Sequence, residues 1–254
     1  MFSKQNRCIY ENNQLSEVIC QLRFPEILTI SANAPADLQE EIRRDFPQYS
    51  VSQEIVPGAP GNQKPAFTPN YRFASENGVW RVNLTSKFIS LSCRHYHCWE
   101  DFAQKLDKPL AAFIKLYHPA YFERIGLRYL NFISPKALQL TDTPFTELFQ
   151  SCWLGPMSQE DVTPSDFYFC GIDAQMAIRG GCQVKIHAGP GMVKRNGRQD
   201  PEKKFIFDMD LFMPGNVPVN LSAGALQTLH SQAFPIFRDA ITDTLHEAME
   251  PENG

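Results

Sequence analysis

The sequence lacks any apolar run that approaches the roughly 18 residues needed to span a membrane. Its first residues carry no apolar segment of the kind that a secretory signal peptide requires. Its seven cysteines are odd in number and never form a Cys-x-x-Cys pair, so neither a disulfide framework nor a closed zinc site is indicated. We therefore expect a cytoplasmic protein with reduced, largely buried thiols and no membrane association.

The short sequence motifs that are typical of enzymes are also missing. The chain has no serine elbow, phosphate-binding loop, dinucleotide fingerprint or metalloprotease helix. A net charge of −4 disfavours a protein that coats nucleic acid, while 43% hydrophobic residues with 19 phenylalanines favour a packed globule. These absences predict no cofactor and favour a protein without catalytic activity over an enzyme.

The most distinctive segment that is present covers residues 122–132 and predicts a long β-strand. Alternation along a strand places Arg124, Gly126 and Arg128 on one face, opposite the apolar residues of the segment. A glycine between two arginines predicts a shallow cationic floor that a partner or an anion can approach closely. The segment ending in Arg23 aligns with this strand, which suggests an internal repeat.

The order of predicted elements repeats as well. Residues 1–118 and residues 119–254 each read β-α-β-β-β-α, and each half ends in a long helix that contains a proline, Pro109 or Pro235. The last helix is predicted over residues 222–249. We therefore predict an α+β fold in which two tandem halves form one compact pseudo-symmetric unit. It would be a curved antiparallel sheet with helices on one face, TATA-binding-protein-like or helix-grip-like.

Two carboxylates, Asp208 and Asp210, share one face of another predicted strand. Paired carboxylates can hold a hard metal ion or divide the roles of acid and base. The apolar residues that alternate with them supply a core face, so the pair is also expected on solvent, facing Arg124 and Arg128 across the sheet. We favour this ionic lattice over catalysis.

A second group suggests metal binding by residue type alone. Cys93, His95 and His97 alternate along a predicted strand, and Cys98 follows, so thiol and imidazole ligands lie close in sequence. Ligands on one strand face are about 7 Å apart, which is too far for one tetrahedral ion. We therefore expect no metal here and keep these four residues as weak candidates.

A basic turn forms the third candidate. Lys194, Arg195 and Arg198 surround a predicted hairpin tip, and Lys203 and Lys204 extend its positive charge. Such a hairpin can contact phosphates or an acidic partner. A solvated turn explains the same residues equally well.

Three segments carry a resemblance to known sequences. They are LSEVICQLRF at residues 15–24, RIGLRYLN at residues 124–131, and Leu229-His230 followed by FRDAITD at residues 237–243. Together they resemble a sporadically distributed family of uncharacterised bacterial proteins of about this length. The resemblance implies a single full-length unit without established catalytic residues. It also implies scattered accessory genes, as in defence or toxin–antitoxin systems.

These observations leave three hypotheses about function. The leading one is a non-enzymatic cytoplasmic protein that docks a protein partner through an open sheet face or the terminal helix. The second is an enzyme or small-ligand binder that grips an anion with Arg23, Arg124 and Arg128 and uses Asp208 and Asp210 beside it. The third is nucleic-acid binding through the basic hairpin at residues 194–204. The oligomeric state stays open.

Overall fold

The computed structural model describes residues 7–56, 66–163, 166–195 and 197–253, which form a mixed α+β fold. The strands are β1 (Cys8–Tyr10), β2 (Leu15–Arg23), β3 (Gln48–Val56), β4 (Ala66–Ala74), β5 (Trp80–Leu84), β6 (Phe88–Cys93), β7 (Phe122–Ile133), β8 (Ile172–Ala177), β9 (Gln183–Arg195), β10 (Arg198–Val217) and β11 (Pro251–Asn253). The helices are α1 (Leu28–Ala32), α2 (Ala36–Ile42), α3 (Trp99–Tyr117), α4 (Phe145–Leu148), α5 (Ser222–Ala240) and α6 (Asp243–Ala248). The predicted α+β class is confirmed.

Strands β2 to β10 belong to one large sheet, and β1 pairs separately with β11. Pairing is antiparallel along β3-β4-β5-β6-β2 and along β10-β9-β8. A large antiparallel sheet with helices was therefore predicted correctly. The tandem origin and the likeness to particular folds stay predictions.

The chain divides into two compact units. Unit I comprises Val18–Leu127 with Met213–Leu226, and unit II comprises Met1–Glu17, Arg128–Phe212 and Gln227–Gly254. The division falls inside β7, between Leu127 and Arg128, because this one strand supplies residues to both units.

In unit I the strands lie in the order β3-β4-β5-β6-β2, and their alternate residues form an apolar face. Helix α3 packs its aromatic residues on this face. The ring centroids of Phe102 and Trp80 are 5.7 Å apart, and those of Phe113 and Phe24 are 4.7 Å apart. Burial of these large rings is the main source of stability that the sequence pattern provides.

In unit II the strands lie in the order β7-β10-β9-β8, and α5 contacts their apolar face. The rings of Phe237 and Phe207 are 5.9 Å apart, and the buried Tyr129 hydroxyl lies 3.0 Å from His230 Nδ1. The prediction of one terminal helix over residues 222–249 is wrong. The helix stops after Ala240, and Thr242 Oγ1 then accepts the Leu245 backbone N–H to start α6.

All seven cysteines are free thiols. Cys20, Cys93 and Cys182 are buried, whereas Cys152 is exposed and the other three are half-buried. The expectation of largely buried thiols therefore holds for only part of the set. No helix in the described part of the chain is both long and apolar enough to cross a membrane.

Candidate functional site

On the sheet face of unit II opposite its apolar core, charged side chains form a row across three strands. Asp173 of β8 lies directly opposite His187 of β9, and His187 lies opposite Asp208 of β10. Directly opposite residues on antiparallel strands share a face, with their Cβ atoms about 5 Å apart. We call Asp173, His187, Asp208 and the neighbouring Arg128 the ionic row.

The strongest contact in the ionic row joins Arg128 to Asp208. Arg128 Nε donates to Asp208 Oδ1 over 2.7 Å, and Nη2 donates to Oδ2, so the pair is bidentate. This hydrogen bond raises the pKa of Arg128 above its ordinary value, and the nearby charge of Asp210 acts in the same direction. The predicted pairing of Asp208 with Arg128 is confirmed, and the positive charge of Arg128 is already matched.

His187 forms the other pair of the ionic row. Its Nδ1 lies 2.9 Å from Asp173 Oδ1, and both side chains reach solvent. The nearest thiol in sequence, Cys182, is buried and donates to the Gly180 carbonyl over 3.7 Å, and the Cys170 thiol donates to the Leu154 carbonyl over 3.7 Å. An imidazole oriented by a carboxylate needs an adjacent nucleophile to act as a general base in covalent catalysis, and no described contact supplies one.

The ionic row borders a shallow depression of about 450 Å³ that also involves Lys185 and Asp210. Lys185 lies directly opposite Asp210, so each charge here has an opposite charge as its neighbour. Among the described residues no three His, Cys, Asp or Glu side chains are placed to hold a metal ion. The depression therefore has the composition of a solvated ion-pair lattice.

A larger cavity of about 1060 Å³ in unit II also has His187 in its wall and is mainly apolar, with Phe145, Met157 and Ile206. Two glutamates, Glu160 and Glu202, line it, and Glu202 is already engaged. Glu202 accepts hydrogen bonds from the Ser134 hydroxyl at 2.7 and 2.8 Å and from the Lys136 backbone N–H at 2.9 Å. The cavity offers room for an apolar group, but this acid is not available for chemistry.

Unit I carries a different surface on the face opposite its apolar core. One polar residue from each strand lies opposite the next, across five strands: Ser50, Arg72, Asn83, Ser90 and Gln21. A second row holds Arg81 and Ser92, and the same face includes Ser52, Asn70 and Arg23. We call these ten residues the polar face.

Hydrogen bonds organise part of the polar face. Asn83 Nδ2 donates to Asn70 Oδ1 over 2.8 Å, and Asn70 Nδ2 donates to a carboxylate oxygen of Glu54. Asn70 is 3% exposed, so this amide chain is a fixed part of the structure. It neutralises no arginine.

Two polar atoms of the polar face are buried without a partner. Neither Arg72 Nε nor Ser52 Oγ has a hydrogen-bond partner within the described residues. A buried donor left unsatisfied costs about 1–3 kcal/mol. Such atoms are rare in native proteins, and each has a cause such as strain, a functional role, or a bound water or ion.

In unit I, an arginine side chain covers the glycine of the predicted cationic floor. A Cβ atom added at Gly126 would meet the guanidinium of Arg124, which therefore lies over the glycine. Gly126 is buried and Arg124 half-buried, whereas Arg23 is exposed. A partner at this place would contact the Arg124 side chain rather than the glycine backbone.

The four weak metal candidates do not share a strand face. Strand β6 ends at the buried Cys93, and His95 and His97 follow it as exposed residues. Cys98 precedes α3, where its carbonyl accepts the Phe102 backbone N–H. The prediction that three of them alternate along one strand is wrong, because the strand stops before the histidines.

The basic hairpin joins β9 to β10 in unit II, and Lys194 and Arg198 are exposed near its tip. Asn196 and the side chain of Arg195 lie outside the described part of the chain. Lys203 is exposed, whereas Lys204 is 2.9 Å from Asp200 and 3.8 Å from Glu202. The carboxylates therefore offset part of the positive charge of this hairpin.

Sequence reasoning missed Arg72, Asn83 and Asn70 as candidates. The available signal was alternation: polar residues alternate with apolar ones in the segments NYRF of β4 and WRVNL of β5. What the sequence did not supply was the register that brings them together.

No protein-family model matches this chain, and no curated protein matches it either. The family resemblance drawn from the three sequence segments therefore stays a prediction.

Proposed function

We propose that the protein is a non-enzymatic binding protein that docks a protein partner on the polar face of unit I. The observation that carries this proposal is the row of hydrogen-bonding side chains that crosses five strands. Its member Arg72 and the neighbouring Ser52 each hold a buried polar atom without a hydrogen-bond partner. Arginine is enriched in protein–protein interfaces, and Arg72 and Arg81 are half-buried on this surface.

The contacts within the ionic row support the part of this proposal that the protein is not an enzyme. The bidentate pair occupies both Asp208 oxygens, and Asp173 orients His187 without a described nucleophile beside it. The rival hypothesis needs Arg128 to bind an anionic substrate. That would require Arg128 to exchange a bidentate carboxylate for the ligand, with little gain in free energy.

Nucleic-acid binding through the basic hairpin is the second rival. The exposed Lys194 and Arg198 favour it, but the Asp200 and Glu202 carboxylates near Lys204 oppose it. Phosphate contacts would make such binding strongly dependent on salt.

We further propose that the two halves arose as a tandem repeat with a TATA-binding-protein-like or helix-grip-like arrangement. The order β7-α4-β8-β9-β10-α5 supports this, because β2 to α3 follows the same plan with one additional strand and a divided helix. A cytoplasmic location and a role in a bacterial defence or toxin–antitoxin system remain part of the proposal.

Site-specific photo-crosslinking tests the docking proposal. A photoreactive amino acid replaces Ser50, an exposed member of the polar face, or in a control replaces the exposed Arg44 beside α2. The tagged protein is irradiated in source cells, and crosslinked partners are identified by mass spectrometry. We expect a reproducible protein adduct from position 50. Adducts that form only from position 44 would contradict the proposal.

A further inference from the structure

We infer that the segment of the partner that occupies the polar face is extended and acidic, with carboxylates that pair with Arg72 and Arg81. This inference rests on the proposed function and names the chemistry of its ligand.

The charge of this face supports an acidic occupant. Arg23, Arg72 and Arg81 lie on it. Glu54 of β3 and Glu17 of β2 are acidic side chains on the same face, and one carboxylate oxygen of Glu54 already accepts a hydrogen bond from Asn70. A ligand with negative charge therefore complements the surface, and charge complementarity selects partners.

The unsatisfied atoms place a carboxylate at one position. Arg72 of β4 lies opposite Ser50 of β3, and Ser52 is two residues after Ser50 on β3. Arg72 and Ser52 are therefore diagonal neighbours. Arg72 Nε–H and Ser52 Oγ–H are both donors, and a carboxylate is an acceptor with two oxygens. When the Arg72 guanidinium moves toward a ligand carboxylate, its Nε gains the partner that it lacks in the free protein.

The spacing of the arginines favours an extended segment. Arg72 of β4 lies opposite Asn83 of β5, and Arg81 is two residues from Asn83 on the same strand. Arg72 and Arg81 are therefore diagonal neighbours about 7–8 Å apart. Alternate side chains of an extended peptide are separated by about 7 Å. A Glu-x-Glu sequence can thus present one carboxylate to each arginine.

Single-stranded nucleic acid, the other polyanion to consider, needs aromatic platforms on which its bases stack. Within the described part of this face, Phe88 is the one aromatic side chain that is not fully buried, and it lies at the end of β6 opposite Arg23. The surface between the arginines consists of serine and amide side chains, which bind carboxylates and peptide groups. The observations therefore favour an acidic peptide.

Fluorescence anisotropy with defined probes tests the inference. The probe is a fluorescein-labelled peptide of alternating glutamate and serine, and it is compared with a peptide of the same composition in which the glutamates form one block. A labelled single-stranded oligonucleotide is the third probe. We expect the alternating peptide to bind most tightly and its affinity to fall with added salt.

Variants locate the binding. Arg72→Gln should lower the affinity for the alternating peptide by about ten-fold, equivalent to about 1.4 kcal/mol, because a charge-assisted hydrogen bond is lost. Ser52→Ala should lower this affinity by a smaller factor. Arg44→Gln removes the same charge from an exposed position of unit I outside the polar face, and should leave the affinity unchanged. Circular dichroism melts confirm that each variant is folded.

Three outcomes overturn the inference: equal losses in Arg72→Gln and Arg44→Gln, no binding of the alternating peptide, or tighter binding of the oligonucleotide. Crosslinking from position 50 to a partner segment without acidic residues would also overturn it, yet would leave the docking proposal standing. Failure to crosslink from position 50 would count against the docking proposal itself.

Discussion

The bidentate contact between Arg128 and Asp208 makes a quantitative prediction for a double-mutant cycle. The Asp208 side chain is 16% exposed and that of Arg128 is 45% exposed, so the pair is partly screened by solvent. We expect Asp208→Asn and Arg128→Met each to lower the free energy of unfolding by about 1.5 kcal/mol, since each leaves a charged group without its partner. The double variant should lose only about 2 kcal/mol, which gives a coupling energy of about 1 kcal/mol.

Urea unfolding followed by circular dichroism measures these free energies, at low ionic strength and again in about 1 M salt. The matched control is the pair Lys87–Glu26, whose side chains are 46% and 45% exposed and whose charged atoms are 3.7 Å apart. Its coupling energy should not exceed about 0.5 kcal/mol. A coupling for Arg128–Asp208 no larger than this control would refute the argument that the ionic row is a structural lattice.

The same variants separate the lattice from a ligand site. Because Asp208 already matches the charge of Arg128, Arg128→Met should leave the affinity for the alternating acidic peptide unchanged. A loss of affinity as large as that expected for Arg72→Gln would instead support the hypothesis that Arg128 grips an anion.

Two further predictions concern glycines and pH. Gly126→Ala should change the free energy of unfolding by less than about 1 kcal/mol, because the added Cβ displaces only the flexible end of the Arg124 side chain. Gly189→Ala should lower the free energy of unfolding by about 1–3 kcal/mol, since its Cβ would lie 2.5 Å from the Cys170 carbonyl oxygen. Thermal melts of both variants test this difference. Burial, and next the charge of Arg238, lower the pKa of His246 below 6.5 in the folded protein. The unfolded state therefore binds more protons, and the free energy of unfolding should fall as the pH drops below about 6.5. Melts of the wild type and of His246→Gln across this pH range test the prediction, and an equal decline in both proteins would contradict it.

Local patterns were sufficient to predict most strands of this fold. Alternation of polar and apolar residues identified β2, β7 and β10, and the helical spacing of apolar residues identified α3. The same reasoning failed where tertiary contacts decide. The terminal helix stops after Ala240 because Ile241 pairs with Phe149, a residue far away in sequence, and no helical periodicity records that bridge.

The candidate site was less predictable, for a related reason. The pairing of Asp208 with Arg128 followed from strand alternation and opposite charge, and it is present. Arg72 and Asn83 gave no comparable local signal. Their importance depends on the register between β4 and β5, which is set by the packing of apolar residues on the other face of the sheet.

The two surfaces differ in a way that bears on which of them is functional. In the ionic row each charge is met by its neighbour, so a ligand must displace a bond that already exists. On the polar face, Arg72 Nε and Ser52 Oγ are withdrawn from water without receiving a partner. A protein selected only for stability would lose such groups easily, because replacing an unsatisfied buried donor by an apolar atom of similar shape is often stabilising. Their presence supports the proposed docking of a partner on this face, since functional surfaces commonly retain groups that reduce stability.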